Sequence, residues 1–200
     1  MPYKIIIVSI LSYILGNLST SYFIAKISAG IDIRKYGSGN AGATNVLRTL
    51  GKKAGIAAFL GDTLKGVLAV LLGGIIAGED GQIFAGLFVV VGHNWPVFLN
   101  FKGGKGIATT IGVMTAINPY IVAGIVPIGI IIIIITKYVS LASILGMIIF
   151  PITMLFTHQP IKLVLFSFML SMMAVYRHKS NIKKLLEGTE SKLGQKVDRW

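Results

Sequence analysis

The chain has no cysteine, and only seven of its 200 residues are carboxylates. The first absence excludes disulfides and thiolate metal sites, although it names no compartment by itself. The second leaves little to hold hard cations, which take acidic oxygen ligands. Charged residues of every kind make up 13% of the chain, where a soluble domain carries about a quarter. Apolar residues fill their place: the hydrophobic share is 54% and the mean hydropathy is +0.79. Such a composition cannot cover a water-exposed surface, so an all-α integral membrane protein is expected, with no stretch left for a second, soluble domain.

Apolar runs recur at 5–25, 54–77, 83–101, 107–136, 139–157 and 161–175, most of them near the ~20 residues of a spanning helix. The first is too long for a signal-peptide apolar region and lacks a clear cleavage site, which reads as a retained helix. The net charge of +12 raises nucleic acid as a partner, but its distribution points to the positive-inside rule instead. Fifteen of the 19 lysines and arginines fall at 34–53, at Lys102 and Lys105, at Lys137 and beyond residue 176. The alternate turns, at Glu79-Asp80, Asn118-Pro119 and 158–160, carry few. Placing the basic loops inside puts the N-terminus outside and the C-terminus in the cytoplasm. Lys105 and Lys137 then share a side, so 106–136 crosses twice, by two short helices turning near Asn118-Pro119. The expectation is a bundle of seven transmembrane helices forming a single domain over 1–200, with a short basic cytoplasmic tail from about residue 178. A re-entrant hairpin at 106–136 with five true spans satisfies the same charges.

Five polar clusters interrupt the bundle. The loop "DIRKYGSGNAGATNVLRTLGKK" (32–53) carries Gly37, Ser38, Gly39, Asn40, Asn45 and Arg48. Glycines let the backbone approach an oxyanion and expose N–H groups to it, and the guanidinium of Arg48 can take two phosphate oxygens at once. A flexible basic linker is the other reading. The stretch "GHNWPVFLNFKGGKGIATT" (92–110) offers His93, Lys102, Gly103, Gly104 and Lys105. It resembles a phosphate loop but is not a Walker sequence, since no glycine stands at the required place ahead of Gly104-Lys105. In "YVSLAS", Ser140 and Ser143 lie three apart on one helical face. His178 and Asn181 do the same after the last apolar run, ahead of lysines suited to anionic lipid. Asp62 and Lys65 stand one turn apart inside the second helix, where charges are usually paired, and read as a structural ion pair. Four of the five clusters fall on the cytoplasmic side. A pocket built from them is cationic, rich in N–H donors and poor in carboxylates. It suits phosphate-bearing substrates at a lipid surface and suits a metal badly.

Taken in order, "GIDIRKYGSGNAGATNVLRTLG", "DTLKG", "GHNWPVFLNFKGGKGIATT", "YVSLASI" and "RHKSNIKKLLEGTESKLG" resemble the successive signatures of the bacterial membrane-integral acyl-phosphate:glycerol-3-phosphate acyltransferase family, over nearly the whole chain. The resemblance implies transfer of a fatty acyl group from acyl phosphate to the 1-hydroxyl of sn-glycerol 3-phosphate, in the first step of phospholipid synthesis at the bacterial inner membrane. It implies a site lined by Ser38, Asn40, Arg48, Lys105, Ser143, His178 and Asn181, with His93 a weaker candidate. No cofactor, metal or nucleic acid is expected; the partners are acyl phosphate, glycerol 3-phosphate and membrane lipid. Acyl phosphate is already a mixed anhydride, so no covalent nucleophile is needed. None is evident: there is no Gly-x-Ser-x-Gly, and Phe98, Leu163 and Lys183 stand where a His-x-x-x-x-Asp pattern needs aspartate. Direct attack is expected, with Lys105, Arg48 and N–H groups stabilising charge and either a substrate phosphate, as the resemblance favours, or His178 taking the proton.

One departure stands out. Family members often carry Gly-Ser-Ile-Pro in the first helix, whereas this chain has "GNLSTSYFIAK" at 16–26, without the proline that ordinarily kinks a helix. A small transporter or channel for a phosphorylated or anionic solute is the alternative of another class. It would more often show related halves and a midplane site.

Overall fold

The computed structural model describes residues 2–195, and the secondary structure there is helical throughout. The basic Lys196 and Arg199 of the expected tail lie outside the described residues. The helices group into two compact units, one ending at Ile117 and the other spanning Asn118–Gln195.

In the first unit, α1 (Pro2–Asn17) and α2 (Thr20–Ala29) replace the single helix expected over 5–25. The break falls at Leu18-Ser19 without any proline. Ser19 caps α2 by accepting the Tyr22 N–H, and the Gly16 and Leu18 carbonyls are taken by the Lys65 ammonium. Carbonyls at a helix end have no partner within the helix, so a buried cation that captures two of them stabilises the interruption as a proline would. The short α3 (Ala43–Leu50) follows the first polar loop.

The long α4 (Lys52–Asn94) is a hairpin of two helical arms, because Ala77 and Gly78 leave helical geometry, with φ +63° at Gly78. This is one residue ahead of the turn expected at Glu79-Asp80. Side chains cannot come between the arms near the bend, where a Cβ at Gly73 would meet the Gly81 carbonyl and Ala85, and one at Gly81 would meet the Gly73 carbonyl. Small residues are what let membrane helices approach this closely. The same device packs α1 on the second arm, through Gly16 and Gly92, and α5 (Ile107–Ile117) on the first arm, through Gly66 and Gly112.

The second unit holds α6 (Pro119–Thr136), α7 (Val139–Phe156), α8 (Ile161–Arg177) and α9 (Lys179–Leu186). The break expected in 106–136 falls at Asn118, whose side chain accepts the Ile121 N–H ahead of Pro119 at the first helical position. Only one of the two helices is short, however. The 11-residue α5 is, whereas α6 has 18 residues and is apolar enough to span a membrane by itself. Among the described residues, four helical stretches pass that test of length and hydropathy (Pro2–Ala29 taken as one, Lys52–Leu99, α6 and α7), or five when the bent pair α8 and α9 is taken as one span. Exposed isoleucines and leucines, such as Ile75 and Ile135, leave their outer faces apolar.

The bend at Gly73/Gly81 gives the first test. Gly73→Val should destabilise the folded protein by about 1–3 kcal/mol, the usual cost of overpacking, while Gly124→Val, which meets nothing within 4 Å, should melt like wild type in detergent thermal unfolding.

Candidate active site

The first polar loop is shaped from below by one buried amide. Asn45, 2% exposed, donates through Nδ2 to the carbonyls of Ile33 (3.0 Å), Tyr36 (2.9 Å) and Asn40 (3.0 Å), and accepts the Ser38 N–H at 2.9 Å. The chain can curl around this amide because Gly37 and Gly39 take φ of +57° and +72°, a region costly for other residues. A Cβ on Gly37 would strike the Asn45 oxygen itself. Ser38 is consequently presented outward and exposed, and Asn40 half-buried. Arg48 lies one turn beyond Asn45 on α3, on the same face and half-buried. Asn45, expected to bind substrate, thus directs its side chain into the loop's own backbone.

Arg34 ties this loop to the second one, a role its sequence context did not single out. Its guanidinium pairs with Asp32 (Nη2 to Oδ2, 2.7 Å), donates to the Leu99 carbonyl at 2.7 Å and lies 5.3 Å from the Tyr22 ring centre. These hydrogen bonds hold the Asp32 carboxyl below the usual carboxylate range, and Asp32 in turn raises the Arg34 pKa. The acidic group nearest the glycines in sequence is therefore already matched by a cation.

The second loop turns sharply after Pro96, with Asn100 and Phe101 both at positive φ and the Phe101 N–H returning to the Pro96 carbonyl at 2.8 Å. Gly103 and Gly104 are buried. A Cβ on Gly103 would strike the His93 carbonyl, and one on Gly104 would strike His93 Nε2 and approach the Ala41 carbonyl at 2.9 Å. These glycines are where the two loops and His93 close on one another. Lys105 follows, half-buried, while Lys102 is exposed.

Beneath the loops lies the expected ion pair, Lys65 Nζ to Asp62 Oδ1 at 2.9 Å, both buried. It extends further than the spacing alone indicated. Asp62 accepts from Ser21 Oγ (3.1 Å) and the Thr20 N–H (3.3 Å), and Lys65 also meets His93 Nδ1 at 2.9 Å.

The second unit carries its own polar cluster. Ser140 Oγ and Asn181 Nδ2 both donate to Glu190 Oε1, at 2.7 and 2.8 Å. Glu190 is 7% exposed despite its place in a basic tail. The tail is drawn back further by the Leu193 N–H, which donates to the Lys137 carbonyl at 2.7 Å. Glu190 carries no signal of its own in the sequence, where it and Glu187 both stand between Lys184 and Lys192 in a basic stretch. Ser143 donates to the Val139 carbonyl of its own helix. His178, buried, has Nδ1 2.7 Å from the Ala174 carbonyl. A carbonyl can only accept, so Nδ1 carries the proton and the neutral ring's lone pair is on Nε2.

Apolar helices with buried charge, and loops built from backbone N–H groups and cations at one end of the first unit, define an integral membrane protein equipped for an anionic substrate. The glycerol-3-phosphate acyltransferase family matches residues 6–188. Glycerol-3-phosphate acyltransferases from Alkaliphilus metalliredigens and Clostridioides difficile are 51% and 50% identical to the chain, over 96% and 98% of it and 97% and 98% of their own lengths. The crystal structure of PlsY (YgiH), an integral membrane glycerol 3-phosphate acyltransferase in its glycerol 3-phosphate form, superposes with a TM-score of 0.90 at 38% identity, over 95% of this chain and 96% of that one. Its lysophosphatidic acid form gives 0.88 at the same identity, over 95% of each chain. The chain belongs to the glycerol-3-phosphate acyltransferase family, and it is an acyltransferase of phospholipid synthesis.

Asn45→Asp tests the loop's support. The aspartate keeps an acceptor for Ser38 but loses the donor shared by three carbonyls and sets a carboxylate oxygen against them. Each unsatisfied buried group costs about 1–3 kcal/mol, so acyltransfer should fall on the order of a hundredfold while helical circular dichroism is unchanged.

Proposed function

We propose that the chain transfers a fatty acyl group from acyl phosphate to the 1-hydroxyl of glycerol 3-phosphate, releasing inorganic phosphate and 1-acylglycerol 3-phosphate. The observation that carries this reading is the pair of joined glycine-rich loops bearing Arg48 and Lys105, where the nearby Asp32 is already paired with Arg34. Support also comes from the relatives' names, and from the similar PlsY structures, whose bound forms are glycerol 3-phosphate and lysophosphatidic acid.

In the proposed step the 1-hydroxyl oxygen attacks the acyl carbonyl carbon. A new C–O ester bond forms, the C–O bond to phosphate breaks, and the leaving group departs as inorganic phosphate. Arg48 and Lys105 stabilise phosphate and the developing carbonyl charge, with Ser38, Asn40 and the N–H groups at Gly37 and Gly39 as further donors. Gly103 and Gly104 carry Lys105, and Lys102 adds long-range attraction for anions. Ser143, His178 and Asn181 are proposed substrate ligands on the family resemblance, with Ser140 three residues before Ser143. The hydroxyl proton goes to a phosphate oxygen of the substrate. His178 is the competing base, favoured by a ring whose lone pair lies on Nε2; in that case His178→Gln would abolish kcat and spare glycerol 3-phosphate binding.

The same proposal has residues 1–200 acting as one catalytic domain in the bacterial inner membrane, in seven passes, with the N-terminus outside and the glycine loops and tail in the cytoplasm. The basic loops support that orientation. So does the hydrogen bond from Asn118 to Gln159 at 3.1 Å, which joins two lysine-poor turns expected on one side.

Purified protein given palmitoyl phosphate and glycerol 3-phosphate should release inorganic phosphate; none from folded protein would contradict the donor assignment. Arg48→Ala and Lys105→Ala should each lower kcat/KM on the order of a hundredfold, as for loss of one preorganised charge contact.

A further inference from the structure

We infer that Lys65, together with Asp62, is a positioning residue for the loop that carries Lys105: it holds the imidazole of His93 neutral, with its proton on Nε2, at the seam between the two glycine loops. This rests on the reading that Lys105 meets a substrate phosphate.

The proton assignment follows from the partners of one nitrogen. Lys65 Nζ lies 3.1 Å from the Gly16 carbonyl, 2.9 Å from the Leu18 carbonyl and 2.9 Å from Asp62 Oδ1. None of these can donate, so an ammonium is called for, its three N–H groups shared among these acceptors and the ring nitrogen beside them, where a neutral amine has only two. An ammonium has no lone pair. The His93 Nδ1 that faces it at 2.9 Å therefore bears no proton, since two N–H groups cannot point at each other across that distance. Asp62 Oδ1 also lies 3.6 Å from Nδ1, beyond a hydrogen bond and with Lys65 as the closer partner of both. The ring is then neutral and protonated at Nε2. The partner of one ring nitrogen sets the chemistry of the other, as outer partners do for histidines that hold metals.

The Nε2 edge faces the functional end. It and the Ala41 carbonyl are the nearest atoms to the position a Cβ on Gly104 would take, so it lies where the first loop meets the second. His93 also holds the second loop by its backbone, accepting the Gly104 N–H at 3.2 Å. The residue after Gly104 is Lys105. A charge pair buried among helices thus determines which ring nitrogen presents a donor beside the loop segment that carries Lys105. Asp62 and Lys65 reach the proposed site through His93, the weaker candidate among its expected residues, and their effect passes through that ring.

The test is a nitrogen-15 spectrum of full-length protein in lipid nanodiscs, labelled at its three histidines, with the His93 signals assigned by their loss in His93→Gln. At neutral pH His93 should show a bare Nδ1 and a protonated Nε2. In Asp62→Asn/Lys65→Met, which leaves no unpaired carboxylate, the ring should lose that single form, and kcat/KM for glycerol 3-phosphate should fall about tenfold, the scale on which outer partners act. Asp62→Asn/Lys65→Gln, which also leaves no unpaired carboxylate and whose glutamine amide can still donate to Nδ1, should keep both the spectrum and most of the activity. An imidazolium or an Nδ1–H ring in wild type overturns the proposal even if the double variant fails to fold. So does a folded double variant whose ring form changes while its kinetics do not. Failure of the phosphate reading is distinguishable, appearing as wild-type rates in Lys105→Ala alongside the expected His93 spectrum.

Discussion

An ammonium group inside an apolar bundle must be surrounded by acceptors, because a buried charge without partners costs several kcal/mol even after relaxation. Lys65 meets that demand with the Asp62 carboxylate and two carbonyls from the end of α1. The interruption of the first apolar run and the buried lysine therefore require each other: a continuous helix would keep those carbonyls for itself, and a lysine without them would lack acceptors. Asp62 binds the opening of α2 through Ser21 and Thr20, and the second arm of α4 joins through His93. The junction of α1 and α2 and both arms of α4 are thus fixed relative to one another around a single buried ion pair.

On that base the loops are bonded from within, unlike the flexible basic linker that was the other reading. Asn45 fills the first loop with one polar side chain, Arg34 fastens it to the second, and Gly104 has Ala41 and His93 close against it. A site meant to stabilise charge gains from such preorganisation, since donors already aimed need no rearrangement when charge develops. The scarcity of acid completes the logic. Asp32 is engaged with Arg34 and Asp62 with Lys65, so cations and N–H groups dominate the field a phosphate would meet.

Much of this was legible in the sequence where the cause is local. The turn at Asn118-Pro119 follows from an asparagine cap and a proline that tolerates only the first helical turn. The pairing of Asp62 with Lys65 follows from their spacing and from the cost of solitary charge in a membrane. The signatures around Ser38, Lys105 and His178 named the family before any geometry was known. What could not be read depended on distant partners. Nothing in 16–26 announces a helix break whose cause is a lysine nearly fifty residues later. Asn45 looked like one more polar ligand because its partners are backbone carbonyls, which carry no sequence signal. Glu190 was hidden in a basic tail for the same reason: Ser140, which buries it, lies fifty residues upstream. The shortness expected of both helices in 106–136 applies to α5 alone, because helix length there depends on where Asn118 places the turn.

In the proposed reaction the joined glycine loops present Lys105 to a substrate phosphate. That placement is tested by a phosphorus-to-nitrogen distance measurement by solid-state NMR, using bound glycerol 3-phosphate and protein labelled at lysine Nζ, with Lys105→Arg to assign the signal. A contact-range coupling between the phosphate and Lys105 is expected. A phosphate coupled to another lysine, Lys102 included, or to none, would contradict it.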